Sequence, residues 1–114
     1  MIERMQPGPR MSQAVIHGDT VYIAGQVAGD PSANLAGQTR QVLESIDRLL
    51  AEAGSDKTRI LSATIYLANI ATFAEMNSVW DTWVSPQNTP ARATVEAKLA
   101  APGYNVEIMV VAAR

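Results

Sequence analysis

With 114 residues, 47% of them hydrophobic and 18% charged, the chain predicts a single domain over residues 1–114 with a core of its own. A net charge of −2 without a basic run argues against nucleic acid or an anionic membrane as a partner, and no apolar segment has the length of a signal peptide or a membrane span, so we expect a cytoplasmic protein. The absence of cysteine and the single His17 exclude disulfides, thiolate catalysis and a His/Cys metal cluster.

The first part of the chain has the pattern of short strands separated by turns. Alternating residues and breakers predict strands over residues 2–6, 12–16 and 20–24. His17 belongs to the turn between the last two strands, where we expect it to lie exposed. Gly25 follows the third strand, either as a simple kink or as a point where backbone groups approach a ligand closely.

Two amphipathic helices are predicted next. The apolar side chains of the first recur at helical spacing, at Val42, Leu43, Ile46, Leu49, Leu50 and Ala53. Gly54 is expected to end this helix in a left-handed conformation. The second helix begins near Thr72, because residues 72–75 fit a capping box. We expect Trp80 and Trp83 to pack in the core or at an interface, although Trp83 could also form the wall of an apolar pocket.

Further strands are predicted over residues 60–67, 91–98 and 105–112. The order β-β-β-α-β-α-β-β predicts an α+β fold in which one mixed sheet carries two helices on one face. The last strand is apolar on both sides, with Met109, Val111 and Ala113 sharing one side with Glu107. Because the helices cover only one face, we expect self-association through the other.

Arg92 and Glu107 are the candidate functional residues. Arg92 shares a strand face with Thr94, a pattern typical of a solvated face, but the alanines that alternate with them are expected to point inward and put Arg92 where the sheet meets a partner. Arginine can hold a carboxylate through two parallel hydrogen bonds. Glu107 interrupts an apolar strand, so it is either a structural salt bridge at a subunit contact or a group that holds a water. Together they suggest one pocket for a small α-keto or α-imino acid.

Five segments, in order and at family spacing, resemble the Rid family of reactive intermediate deaminases, also called RidA/YjgF-like proteins and formerly described as L-PSP endoribonucleases. They are SQAV at 12–15, VYIAGQ at 21–26, QTRQVL at 38–43, PARATVE at 90–96 and VEI at 106–108. The resemblance covers nearly the whole chain. It implies a chorismate-mutase-like homotrimer with a central sheet barrel and three sites in clefts between subunits.

The resemblance also implies the reaction, which is hydrolysis of an enamine or imine such as 2-aminoacrylate or 2-iminobutyrate to a 2-keto acid and ammonia, without a metal or organic cofactor. In this family the residue that matches Arg92 binds the substrate carboxylate, and the residue that matches Glu107 is proposed to position the hydrolytic water. Gly25 and Thr94 match residues that line the pocket.

The chain departs from the family pattern at Met11, where well-studied members carry tyrosine, and at Ala24, where they carry serine. Both replacements remove hydroxyl groups and predict a more apolar pocket, which favours a bulkier or less polar imino acid.

Two alternatives to the deaminase function stay open. A non-catalytic, 2-keto-acid-binding trimer would need only Arg92 and a pocket. An endoribonuclease fits less well with one histidine, a negative net charge and no basic stripe.

Overall fold

The computed structural model describes all 114 residues and has the predicted order of strands and helices. The elements are β1 (Ile2–Pro7), β2 (Ser12–His17), β3 (Thr20–Gln26), α1 (Leu35–Glu52), β4 (Ile60–Leu67), α2 (Phe73–Trp83), β5 (Ala91–Glu96) and β6 (Val106–Ala113). Single 3-10 turns over Lys57–Arg59 and Ile70–Thr72 precede β4 and α2. The α+β fold with one mixed sheet and two helices is therefore confirmed. Neither helix is long and apolar enough to cross a membrane.

The six strands form one sheet in the order β1-β2-β3-β6-β4-β5. All neighbours are antiparallel except β4 and β5, which run parallel because α2 connects them as a crossover. This topology puts Glu107 on β6 in the middle of the sheet and Arg92 on β5 at its edge.

The core lies between the sheet and the helices. Buried side chains alternate along β6, at Val106, Ile108, Val110 and Ala112, and they join one cluster with the apolar stripes of both helices. On the opposite face Tyr22, Val95 and Met109 remain 49%, 42% and 39% exposed. The prediction that β6 is apolar on both sides is confirmed, and one of its sides is open in the single chain.

The helix ends show which capping predictions were right. Gly54 follows α1 with φ +82°, as predicted for a left-handed terminator. The capping box at Thr72 was wrong, because the Thr72 hydroxyl donates to the carbonyl of Asn69 at 2.6 Å and makes no capping hydrogen bond with α2. The cause is the 3-10 turn before α2, which already holds Thr72 in a nearly helical conformation and is itself capped by Asn69.

Candidate functional site

The guanidinium of Arg92 packs against one face of α2. Its Nη1 donates to Oδ1 of Asn77 at 2.9 Å. Its Cζ lies 5.2 Å from the ring centroid of Trp80 and 5.8 Å from that of Phe73, within the range of cation–π attraction. Residues 73, 77 and 80 are spaced i, i+4, i+7 and therefore share one side of the helix. These contacts with α2 hold the guanidinium in place before any ligand binds.

The predicted orientation of β5 was wrong. Ala91, Ala93 and Val95 were expected to point inward, but they are exposed on the open face of the sheet. Arg92 pairs with Ala63, whose side chain is buried under the helices, so Arg92 and its neighbour Thr94 lie on the helix side. The alternation of residues could not reveal that Arg92 faces the helices. The aliphatic part of an arginine can cover apolar surface while its guanidinium packs on aromatic rings.

Thr94 brings an unusual polar group to the same side of the sheet. Its hydroxyl oxygen is buried and has no hydrogen-bond partner. A buried unpaired hydroxyl costs about 1–3 kcal/mol, so this atom is a candidate contact for something that binds beside Arg92. The predicted pocket-lining role of Thr94 stays a prediction.

Glu107 lies directly over Gly25. A Cβ built on Gly25 would be 2.9 Å from the carboxyl carbon of Glu107 and still closer to Oε2, so any side chain at position 25 would displace this carboxylate. Gly25 therefore acts as a point of close approach rather than as a simple kink. Half-buried Glu107 also lines an open hollow of about 270 Å³ on the open face, together with Tyr66, Ala97, Lys98, Leu99, Ala100 and Met109.

The sequence suggested one pocket for Arg92 and Glu107, but within one chain the two residues do not share a pocket. On β4, Ala63 pairs with Arg92 and Tyr66 pairs with Glu107. Ala63 and Tyr66 are three residues apart on one strand, so they point to opposite faces. The sheet separates the arginine from the carboxylate.

The remaining predicted site residues lie in three different parts of the chain. Ala24 is next to Gly25 and half-buried, and Met11 precedes β2 with half of its surface exposed. Trp83 lies in the helix layer, where its Nε1 donates to Oδ2 of Asp47 at 2.9 Å and its ring contacts Trp80 at 5.3 Å between centroids. Trp83 is therefore remote from Glu107 and adjacent to the residue on which Arg92 stacks.

Sequence reasoning missed Asn77 and the role of Phe73. The available signal was a polar residue at position 77 on the side of α2 that also carries Phe73 and Trp80. No group of three or more His, Cys, Asp or Glu side chains is placed to hold a metal ion.

Comparison with known proteins adds to this geometry. The family model described as Endoribonuclease L-PSP matches residues 1–114. A RutC family protein from Haemophilus ducreyi is 50% identical over 113 residues, which cover 99% of this chain and 97% of that protein. A human protein named 2-iminobutanoate/2-iminopropanoate deaminase is 34% identical over 107 residues, 89% of this chain and 77% of that protein.

A solved structure with the same fold comes from Pseudomonas aeruginosa. It superposes with a TM-score of 0.97 at 48% identity and covers 100% of this chain and 99% of that one. The match to the family model over the full length, the 50% identical relative and this superposition agree. The chain belongs to the YjgF/RutC/Rid family.

Proposed function

We propose that the protein hydrolyses 2-imino acids, and the enamines in equilibrium with them, to 2-keto acids and ammonia. The observation that carries the proposal is the placement of two groups, Arg92 hydrogen-bonded to Asn77 of α2 and the carboxylate of Glu107 over Gly25. A planar cation suits the carboxylate of the substrate, and a half-buried carboxylate suits a water molecule. The human relative that is named a deaminase supports the same reaction.

The two groups need a second copy of the chain to meet. The sheet keeps them apart in one chain, whereas β5 is an edge strand and the open face carries exposed apolar side chains. We propose a chorismate-mutase-like homotrimer in which open faces pack as a central barrel. In each cleft the Arg92 of one subunit and the Glu107 of a neighbour then form one site.

The proposed chemistry uses few groups. Arg92 binds the substrate carboxylate through two hydrogen bonds while Asn77 holds Nη1 in place. Glu107 accepts a proton from water as the water oxygen bonds to the imine carbon and the C=N π electrons move to nitrogen. The proton then passes from Glu107 to that nitrogen. The new hydroxyl then gives its proton, through Glu107, to the amino nitrogen, and the C–N bond breaks, so that the products are the ketone and ammonia. Acid–base help of this kind contributes about 10²–10⁴-fold.

The surroundings of the site favour an apolar substrate side chain. Exposed Phe73 flanks Arg92, and Met109 and Leu99 line the hollow beside Glu107. Met11 and Ala24 add no hydroxyl groups. We propose that imines derived from amino acids with uncharged side chains are the preferred class.

The test is ammonia release from 2-iminobutyrate that an amino acid oxidase generates in the same cuvette. We expect the protein to accelerate formation of ammonia and 2-ketobutyrate in proportion to its concentration. Binding of 2-ketobutyrate without acceleration would contradict the proposed reaction and favour the ligand-binding alternative. RNA cleavage without imine hydrolysis would favour the endoribonuclease alternative.

A further inference from the structure

The strand beneath Glu107 contains an irregularity at Gly25. Residue Ile23 of β3 pairs with Val110, and Gln26 pairs with Ile108. Three residue steps on β3 therefore oppose two steps on β6, which defines a β-bulge over Ala24 and Gly25. Bulges bend the bulged strand and redirect local side chains, and this one lies at the point where Glu107 covers a glycine.

The side-chain amide of Gln26 makes two hydrogen bonds at this bulge. Nε2 of Gln26 donates to the carbonyl oxygen of Ala24 at 3.0 Å, within the bulge itself. The same nitrogen donates to Oε1 of Gln13 on the neighbouring strand β2, also at 3.0 Å. Both glutamines are half-buried. The two hydrogens of one amide thus connect the bulged backbone to the adjacent strand.

We propose that Gln13 and Gln26 are positioning residues for Glu107, since they keep the Ala24–Gly25 bulge in the shape that accommodates its carboxylate. The inference rests on the proposed role of Glu107 in activating water. Without these two hydrogen bonds the bulge is free to change shape. The Glu107 carboxylate occupies the space that a Cβ at position 25 would take, 2.9 Å from its Cδ, so a change in the position of Gly25 would change the space available to the carboxylate. Catalytic geometry is sensitive at this scale, because a misplacement of 1 Å can cost about 10²-fold in rate.

The chemistry of the amides fits this purpose. A lysine or arginine at either position would bring a positive charge near the Glu107 carboxylate and weaken it as a base. A leucine at position 26 would leave the carbonyl of Ala24 without its side-chain hydrogen-bond donor. Neutral amides supply both a donor and an acceptor, so they brace the backbone and leave the charge of Glu107 available.

The experiment replaces each glutamine by methionine, which keeps the length of the side chain and removes its hydrogen bonds. Gln26→Met, Gln13→Met and the double variant are compared with Gln6→Met, a control on β1 whose side-chain amide donates a hydrogen bond to exposed Glu52 at 2.9 Å. We expect kcat for 2-iminobutyrate to fall by about tenfold or more in Gln26→Met, while the Kd for 2-ketobutyrate changes by less than about twofold. The double variant should be no slower than Gln26→Met, because the two residues act as one unit.

A second readout separates this inference from the proposed function. The Gly25 amide and the Glu107 side-chain carboxyl carbon are assigned by NMR in the protein without substrate. We expect both signals to shift in Gln26→Met and Gln13→Met but not in Gln6→Met. If the wild-type protein hydrolyses no imine, the proposed function fails, and these shifts still test the positioning.

Gln13→Met is the milder change, because it keeps the hydrogen bond from Gln26 to Ala24, so it serves if Gln26→Met does not fold. Lower melting temperature with unchanged kcat and unchanged NMR signals would overturn the inference and leave the pair a purely structural contact.

Discussion

The contacts of Arg92 depend on the planar shape of its guanidinium. Its Nη1 donates to Asn77, and its Cζ lies 5.2 Å from the ring centroid of Trp80. A lysine at this position would keep the charge but lose both the stacking geometry and the second hydrogen bond to a carboxylate. We therefore expect Arg92→Lys to lower kcat/KM for 2-iminobutyrate nearly as much as Arg92→Ala does. The matched control is Arg48→Lys, at an exposed arginine of α1 that donates a hydrogen bond to Ser45. Near-native kcat/KM in Arg92→Lys would disprove the carboxylate clamp.

The carboxylate of Glu107 allows chemistry and binding to be measured separately. Glu107→Gln keeps the shape over Gly25 and removes the charge, so we expect kcat to fall on the order of 10²-fold or more. The Kd for a 2-keto acid should change little, or improve because the repulsion between two carboxylates disappears. A structural salt bridge would behave differently, since its loss would lower the melting temperature and weaken the assembly. An unchanged rate per folded site with lower stability would assign Glu107 that structural role.

At the level of single residues, sequence reasoning singled out Arg92, Glu107 and Gly25 but was wrong about the orientation of Arg92. Glu107 stands out in the sequence because a carboxylate rarely interrupts an apolar strand. Gly25 stands out because it comes directly after an apolar strand pattern. The contact between them depends on the bulge in β3, which was missed because the strand was predicted to end at residue 24, whereas β3 continues through Gly25 to Gln26. Asn77 was missed because its partner lies 15 positions away, across a crossover.

At the level of elements, Gln38 connects α1 with the segment that leads into β6. This side chain has no exposed surface. Its amide donates to the carbonyls of Pro31, Ala33 and Gly103 at 3.0–3.1 Å and accepts the N–H of Asn105 at 2.9 Å. One helical side chain therefore fixes two loops, one of which ends two residues before Glu107.

Gln38→Met should destabilise the protein strongly for this reason. Each buried group left without a partner costs about 1–3 kcal/mol, so we expect a loss of about 3 kcal/mol or more in the free energy of unfolding by urea. Thr39→Val is the control, because Thr39 is equally buried but bonds only to the carbonyl of Leu35 within its own helix. Equal losses in the two variants would contradict the special role of Gln38.

The elements themselves were predictable to different degrees. The periodicity of α1 is regular over several turns, and Gly54 marks its end, so its existence and limit were right. The orientation of β5 was wrong because alanine and valine are suited to either face of an edge strand. Only the register with β4 and the position of α2 decide which face is covered.

For the whole molecule, the open sheet face predicts assembly. Val111 lies half-buried on this face of β6, opposite Tyr22 of β3. We expect a trimer in sedimentation experiments and its dispersal by Val111→Asp, because a buried unpaired charge costs several kcal/mol at each interface. Ala51→Asp introduces the same charge on the exposed side of α1 and should leave the assembly intact. A wild-type protein that is monomeric at micromolar concentration would exclude the shared site.

Whether neighbouring subunits share each site can be tested by mixing two inactive variants. Arg92→Ala subunits retain Glu107, and Glu107→Gln subunits retain Arg92. If each site takes its arginine from one subunit and its glutamate from the next, random exchange in a 1:1 mixture should restore about a quarter of the sites, because half of the subunits supply each intact residue. If both residues came from the same subunit, every site would lack one of them and mixing would restore no activity. The mixture should be unfolded and refolded together to ensure exchange, and each variant refolded alone is the control. Activity of the mixture no greater than the average of the separate variants would contradict a site shared between subunits, which is the arrangement we propose from the opposite orientations of Arg92 and Glu107.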